Sequence, residues 1–146
     1  MKCLNRTLAF DFGSSNTVVC ENGQVIYVEP TEVAMFSDGA ILIGAKARIF
    51  YSGEPKLIKP IVHGYVNDYD AFELYVKGVV KKLVRFPRLC LKTAIIAIPN
   101  DLVGDENASV CDRAFFEPFR KMGVKNIKTI HKSDAAFLGS QMRIQS

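Results

Sequence analysis

The residues best suited to chemistry lie in one short stretch near the start of the chain. Asp11 follows an apolar run, and small or polar residues come soon after it at Gly13, Ser14, Ser15, Asn16 and Thr17. Small residues let an anion approach backbone N–H groups closely, so this turn is suited to holding a phosphate. A carboxylate beside a phosphate is suited to Mg²⁺ or to its water shell. The stretch therefore predicts a phosphate turn, with Asp11 binding magnesium through water.

Neither of the two common glycine-rich phosphate motifs is present in this stretch. The spacing differs from the GxxxxGK[ST] pattern of a P-loop, and no helix is expected directly after the turn, which excludes a dinucleotide-binding fingerprint. Asp and Gly are also common in ordinary hairpin turns, so Asp11–Ser14 alone leaves that interpretation open. The choice between a phosphate turn and an ordinary hairpin turn therefore depends on the rest of the chain.

Composition indicates a globular chain with a hydrophobic core. The chain has 146 residues, of which 49% are hydrophobic and 23% charged, a balance typical of globular domains. We expect no membrane span and no signal peptide, because no apolar run reaches the length of a span and none precedes the first strand. The four cysteines and two histidines lack the spacing of a metal site, which favours reduced thiols in a cytoplasmic protein.

The net charge of +4 is mild, and its basic residues are densest between positions 77 and 92. Aromatic residues do not alternate with these lysines and arginines. We interpret the cluster as a solvated helix face and expect no nucleic-acid partner.

Three strands are predicted to position the turn, at about 6–12, 16–21 and 24–29. The dipeptide Asn22-Gly23 stands between two apolar runs, which is the strongest short signal for a hairpin. Pro30 ends the third strand because proline has no N–H for a ladder. The chain therefore begins as a meander with the turn at its first bend.

Residues 31–66 are predicted to form a small insertion on the main sheet. Short strands are expected at 32–36 and 40–43, followed by a short helix at 45–49. A loop containing Gly53, Pro55 and Pro60 completes the insertion.

The remainder alternates helices with apolar strands. Asp70 is expected to cap a helix, with Glu73 returning a bond, and Pro87 to close that segment. A strand at 93–98, a helix at 103–122 that contains Pro118, and a strand at 126–130 follow. Ser133 or Asp134 is expected to cap a last helix.

This order predicts an α/β fold with a ribonuclease-H-like mixed sheet, flanking helices and an inserted subdomain. The expected strand order is 3-2-1-4-5, with strand 93–98 parallel to the first strand. The whole chain, 1–146, is expected to form one unit, with 1–30 and 67–146 as the core and 31–66 as the insertion.

Four segments, in order, resemble the first lobe of a bacterial actin of the MreB, rod-shape-determining type. They are Leu8–Val19, Lys59–Val66, Ala97–Pro99 with the helix after it, and Lys125–Ile127 with Ala135–Gly139. The first resembles the family's first phosphate motif, and the second resembles the stretch before its long helix. The likeness covers roughly residues 6–140 and implies membership of the superfamily of actin, heat-shock chaperone and sugar kinase ATPases.

The resemblance also implies roles for particular residues. Glu106 stands where the family has its catalytic glutamate, so the resemblance implies that it orients the attacking water. The turn residues named above correspond to one half of a cleft that holds Mg-ATP between two lobes. Complete relatives are ATPases that act in cell shape and filament assembly.

The chain departs from the family pattern in ways that affect the site. His131-Lys132-Ser133 stands where the family has Glu-Glu-Pro, and Asp105 and Glu106 precede Asn107 where arginines are expected. The second phosphate loop and the adenosine-binding glycines belong to a second lobe. We therefore expect a truncated MreB-like protein with a remnant phosphate site, which by itself is not an enzyme and holds no cofactor.

Two other functions remain open at this point. One is a ribonuclease-H-like, metal-dependent nuclease that uses Asp11, with Asp105 or Glu106 as further carboxylates. The other is a non-catalytic interaction module that uses the insertion at 31–66.

The last predicted helix bears on self-association. Its apolar residues between 135 and 144 are expected to lack their usual cover, which favours a homo-oligomer or pairing with a missing second lobe.

Overall fold

Strands fill the first part of the chain, and helices alternate with strands in the rest. The structure, a computed structural model, describes residues 4–49, 55–99 and 108–134. Its elements are β1 (Arg6–Phe12), β2 (Asn16–Glu21), β3 (Gln24–Pro30), β4 (Val33–Met35), β5 (Ile41–Ile43), α1 (Ala45–Ile49), β6 (Lys56–Ile58), β7 (Ile61–Val62), β8 (Tyr65–Val66), α2 (Tyr69–Leu83), α3 (Pro87–Cys90), β9 (Leu91–Ile98), α4 (Ala108–Lys121) and β10 (Asn126–His131).

The main sheet has five strands in the order β10-β9-β1-β2-β3. This order confirms the predicted 3-2-1-4-5 arrangement. β1 is antiparallel to β2 and parallel to β9, and β10 is parallel to β9. Because parallel strands end at the same edge of a sheet, the ends of β1, β9 and β10 lie together. That edge carries the turn after β1.

One face of this sheet is buried against α2 and α4. Leu8, Phe10 and Phe12 alternate along β1 and are all buried, as the period of a strand requires. The ring of Phe10 meets Phe119 of α4 at 4.8 Å between centroids, and Phe12 meets Phe72 of α2 at 5.0 Å. Both pairs are edge-to-face, a favourable geometry for aromatic rings. The strand that carries the turn is thus held by both helices.

The opposite face of the sheet is more open among the described residues. Asp11 lies on this face, and 54% of its side chain is exposed. Ile26 and Val28 of β3 are also exposed there. Cys20 of β2 lies half-buried on the same face, and burial, followed by the charge of Asp11, raises the pKa of its thiol.

The insertion contains more regular structure than its sequence predicts. β4, β5 and β6 form a three-stranded sheet and β7 pairs with β8. The strands around 32–36 and 40–43 and the helix α1 are confirmed, whereas the loop predicted through 56–66 is wrong. β6, β7 and β8 have only two or three residues each, which is too few for an alternating pattern to be recognised.

Glu32 fixes α1 to the start of β4. Its side chain is only 4% exposed and accepts two hydrogen bonds from Arg48, at 2.9 Å and 2.8 Å. This bidentate pair satisfies both carboxylate oxygens of a buried acid.

Helix α2 begins two residues earlier than predicted, at Tyr69, and uses a different cap. Asp68 is the N-cap, and its carboxylate accepts the N–H of Ala71 at 3.0 Å. Asp70 instead lies in the first helical turn, so the predicted cap at Asp70 is wrong by two residues. The helical spacing of Phe72, Tyr75, Val76, Val79, Val80 and Leu83 indicates one apolar stripe; the first five are buried, and Leu83 is partly buried against the same core.

Two prolines occupy different positions in the helices. Pro87 begins the short helix α3 instead of only closing a segment, because its fixed φ suits the first helical position. Pro118 lies inside α4, which continues to Lys121. Gly123 follows with φ +85°, and the N–H of Val124 donates to the carbonyl of Phe119 at 3.2 Å, as in a glycine cap at the end of a helix.

Two predicted regions lie outside the described residues. They are the start of the helix predicted at 103–122 and the last helix beyond residue 134. The backbone is already helical at 132–134. The helical turn therefore starts before Ser133 and Asp134, the two residues predicted to cap it. In the part of the chain that the structure describes, no helix has the length and apolar character to cross a membrane.

Candidate phosphate-binding site

The turn between β1 and β2 is a tight hairpin bend. Phe12 pairs with Thr17, and the N–H of Gly13 donates to the carbonyl of Asn16 at 2.9 Å. A Cβ on Gly13 would lie 2.7 Å from that same oxygen, much closer than an ordinary contact. Glycine is therefore required at this position by the close approach of the backbone.

The inserted subdomain holds the turn in place. The hydroxyl oxygen of Ser14 accepts the N–H of Gly64 at 3.0 Å. His63 and Gly64 have φ of +52° and +84°, as a two-residue turn between β7 and β8 requires. The carbonyl of Ser15 accepts the N–H of Thr31 at 3.1 Å. Ser14 and Ser15, the two central residues of the bend, are thus each held by a backbone N–H of segment 31–66.

Thr17 lies in the core beneath the turn. Its side chain is fully buried, and its hydroxyl shares a 2.8 Å hydrogen bond with the hydroxyl of Thr31. The phenol of Tyr75 donates to the carbonyl of Pro30 at 3.0 Å beside this pair, and burial raises the pKa of that phenol. Thr17 therefore supports the turn from below, whereas Ser15 and Asn16 are exposed at its surface.

The side chain of Lys132 forms an ion pair with Asp11. The ammonium nitrogen of Lys132 lies 3.2 Å from Oδ1 of Asp11 and donates to the carbonyl of Phe12 at 3.3 Å. Lys132 directly follows β10, whose last residue pairs with Ile98 of β9. Since Asp11 pairs with Ala97 on the other side of β9, the side chain of Lys132 reaches across β9 to the end of β1.

The residues needed for a protein-bound metal ion are not brought together here. No cluster of three or more His, Cys, Asp or Glu side chains occurs within 4–49, 55–99 and 108–134. Asp11 supplies one carboxylate to the site, and Lys132 is already bound to it. The described residues therefore supply one carboxylate to the site, too few for a protein-coordinated divalent cation, and they give the nuclease hypothesis no support.

The predicted site residues separate into three groups. The turn residues from Gly13 to Asn16 and Asp11 lie together at the carboxyl edge of β1, and Thr17 lies below them. Glu106 is outside the described residues, so its proximity to the turn stays a prediction. The sequence analysis noted Lys132 only as a departure from an acidic motif, and did not predict its contact with Asp11.

Both the sequence and the fold of this chain are similar to those of known proteins. A sequence model of the family described as "MreB/Mbl protein" matches residues 5–146. The fold is similar to MreB5 of Spiroplasma citri bound to ADP, with a TM-score of 0.69 and 19% identity, over 86% of this chain and 38% of that one. It is also similar to MreB5 of the same organism bound to AMPPNP, with a TM-score of 0.73 and 19% identity, over 93% of this chain and 41% of that one. The chain thus spans about two fifths of the length of these solved relatives.

Proposed function

This chain belongs to the MreB/Mbl protein family, and from that premise we propose that it is an actin-like cytoskeletal protein that acts in cell-shape determination or filament assembly. The turn between β1 and β2 is its remnant of the family's first phosphate site. The single observation behind this proposal is the fixed bend Gly13–Asn16 beside Asp11, at the carboxyl edge of a central strand.

The position of the turn supports a phosphate site. Parallel strands end there, and ligands of open α/β sheets bind outside the carboxyl ends of their strands. The S. citri structures of the same fold are described as bound to ADP and to AMPPNP. We propose that the phosphates of such a nucleotide approach the exposed residues Ser15 and Asn16.

We propose that this chain alone binds nucleotide weakly and does not hydrolyse it. Thr17 is buried and its hydroxyl is engaged, and Asp11 is paired with Lys132, so few groups remain for a phosphate. Binding has to compensate for the entropy that the ligand loses when it is ordered, and few contacts leave little net binding free energy. Catalysis would need the groups of a second lobe together with Glu106, which family resemblance implies as the water-orienting residue.

Isothermal titration calorimetry with Mg-ATP tests the nucleotide part of the proposal. We expect no dissociation constant tighter than millimolar, and no phosphate release above the uncatalysed background. A micromolar constant, or release abolished by Glu106→Gln, would overturn the remnant assignment.

A cytoplasmic location and self-association complete the proposal. Light scattering and sedimentation at micromolar protein should detect species larger than the 16.2 kDa monomer. A monodisperse monomer at every concentration, with and without nucleotide, would contradict the role in filament assembly.

A further inference from the structure

We infer that the ammonium group of Lys132 takes the place of a divalent cation beside Asp11, so that the phosphate turn of this chain does not use magnesium. This inference rests on the proposed function, because it concerns the cation of that same phosphate site.

The contacts of Lys132 are those of a bound cation. Its ammonium meets a carboxylate oxygen of Asp11 and the backbone carbonyl of Phe12. Carboxylate and carbonyl oxygens at the end of a strand are the donors that hard metal ions also use. The same two oxygens are therefore already occupied by a tethered positive charge.

The register of the sheet fixes where this charge sits. His131 pairs with Ile98 at the end of β10, and Asp11 pairs with Ala97 on the far side of β9. Lys132 is the next residue after this register ends. Its side chain is 31% exposed, and an ammonium has three N–H donors. Two donors point to Asp11 and Phe12, and within 4–49, 55–99 and 108–134 the third has no protein partner, which leaves it for an anion at the open edge.

The charge at this edge also differs from that implied by the family resemblance. Two carboxylates are expected there, and the chain has His131, Lys132 and Ser133 instead. Acidic side chains would attract a divalent cation, whereas the ammonium neutralises Asp11 and repels a second cation. The replacement of an acidic residue by Lys132 and the contact of Lys132 with Asp11 both disfavour a divalent cation at this edge.

Paramagnetic broadening of amide signals by Mn²⁺ separates this inference from an ordinary surface ion pair. In the unchanged chain we expect no selective broadening at residues 11–14. Lys132→Glu should create selective broadening there, with manganese affinity raised by about tenfold or more. Adding Asp11→Asn to that variant should remove the broadening.

A matched control is available on the same strand. Lys128 is exposed on β10, so Lys128→Glu makes the same change of charge away from Asp11 and should leave residues 11–14 unaffected. Circular dichroism of each variant verifies that it folds. Selective broadening in the unchanged chain that Asp11→Asn removes would overturn the inference. So would equal broadening in Lys128→Glu and Lys132→Glu.

Pyrophosphate distinguishes failure of this inference from failure of the proposed function. Millimolar pyrophosphate should shift the amide signals of Ser14–Asn16 equally with and without magnesium, and Lys132→Met should weaken that shift while Lys128→Met does not. A shift that requires magnesium would overturn the inference and keep the phosphate site. Absence of any shift would overturn the phosphate site, while the manganese experiment still decides whether Lys132 replaces a metal.

Discussion

Replacing Gly13 with alanine is a sensitive test of the turn geometry. The added Cβ would lie 2.7 Å from the carbonyl oxygen of Asn16. That oxygen belongs to the backbone and accepts the N–H of Gly13 itself at 2.9 Å. It cannot move away from the new methyl group without lengthening this hydrogen bond. The close contact can therefore be removed only by moving the backbone of the turn.

The expected cost follows from these two terms. Loss of one hydrogen bond costs about 0.5–1.5 kcal/mol, and forcing an extra methyl group into a closely packed site costs about 1–3 kcal/mol. Alanine also lowers the conformational entropy of the unfolded chain, which stabilises the folded state by about 0.4–1 kcal/mol. We expect Gly13→Ala to lower the free energy of unfolding by about 2 kcal/mol.

Gly78→Ala is the matched control. Its Cβ would lie 2.6 Å from Cδ1 of Ile43, which is the movable end of a flexible side chain. Gly78 is inside α2, where alanine is favoured by about 0.5–1 kcal/mol. The gain and the cost of moving Ile43 should nearly cancel.

Urea denaturation followed by circular dichroism measures both variants. Gly13→Ala should shift the midpoint clearly while Gly78→Ala changes it little. Equal effects of the two substitutions would show that the bend is not as close as described, and the argument for a fixed phosphate turn would fail with it.

Three further predictions concern the packing around the site. The hydrogen bond from Lys121 is the largest cause that lowers the pKa of Glu73 below its ordinary 4.5. The stabilisation that ionised Glu73 gives the folded chain is therefore present above pH 4.5 and is lost as the pH falls through the lowered pKa. Glu73→Gln should cost about 0.5–1 kcal/mol at pH 7 and flatten the pH dependence of unfolding in that acid window, and an unchanged pH profile would contradict this. Phe119→Ala should cost about 3–5 kcal/mol in urea denaturation, because this ring is fully buried against β1, with Phe119→Leu as a milder control; a loss below 1 kcal/mol would be inconsistent with the described core. Thr17→Val should cost about 1–3 kcal/mol by leaving the Thr31 hydroxyl without its partner, whereas Thr17→Val with Thr31→Val should cost no more than either single change, and additive losses in this double-mutant cycle would refute the pairing.

The strand plan of this chain could be predicted from its sequence because the signals are local. Asn22-Gly23 marks the second bend, and the strands on both sides are apolar and long enough to recognise. The run 93–98 is apolar on both faces, which is typical of a central parallel strand. Strand order then followed from the handedness and adjacency rules for crossovers.

The side chains of the site were harder to predict because they depend on register. Thr17 is the direct partner of Phe12 across the turn, so the two residues share a face, and the burial of Phe12 buries Thr17 as well. The pairing of Lys132 with Asp11 depends on the register of three strands at once. No local pattern carries that information. The cap of α2 was misplaced for a simpler reason, since Asp68 and Asp70 are equally good caps by residue type.

The path of the chain through the main sheet also bears on how quickly the site assembles. β1 joins β2 through a bend of a few residues, but its other neighbour, β9, is separated from it along the chain by β2, β3, the whole insertion, α2 and α3. Local pairings close fast and distant ones close slowly, because loop-closure entropy is lost before the contacts form. We therefore expect the bend at Gly13 to form early and Lys132 to reach Asp11 only after β9 and β10 have docked. Lys132→Met should leave the refolding rate unchanged and raise the unfolding rate, and slower refolding in stopped-flow measurements would place the ion pair in the folding nucleus instead.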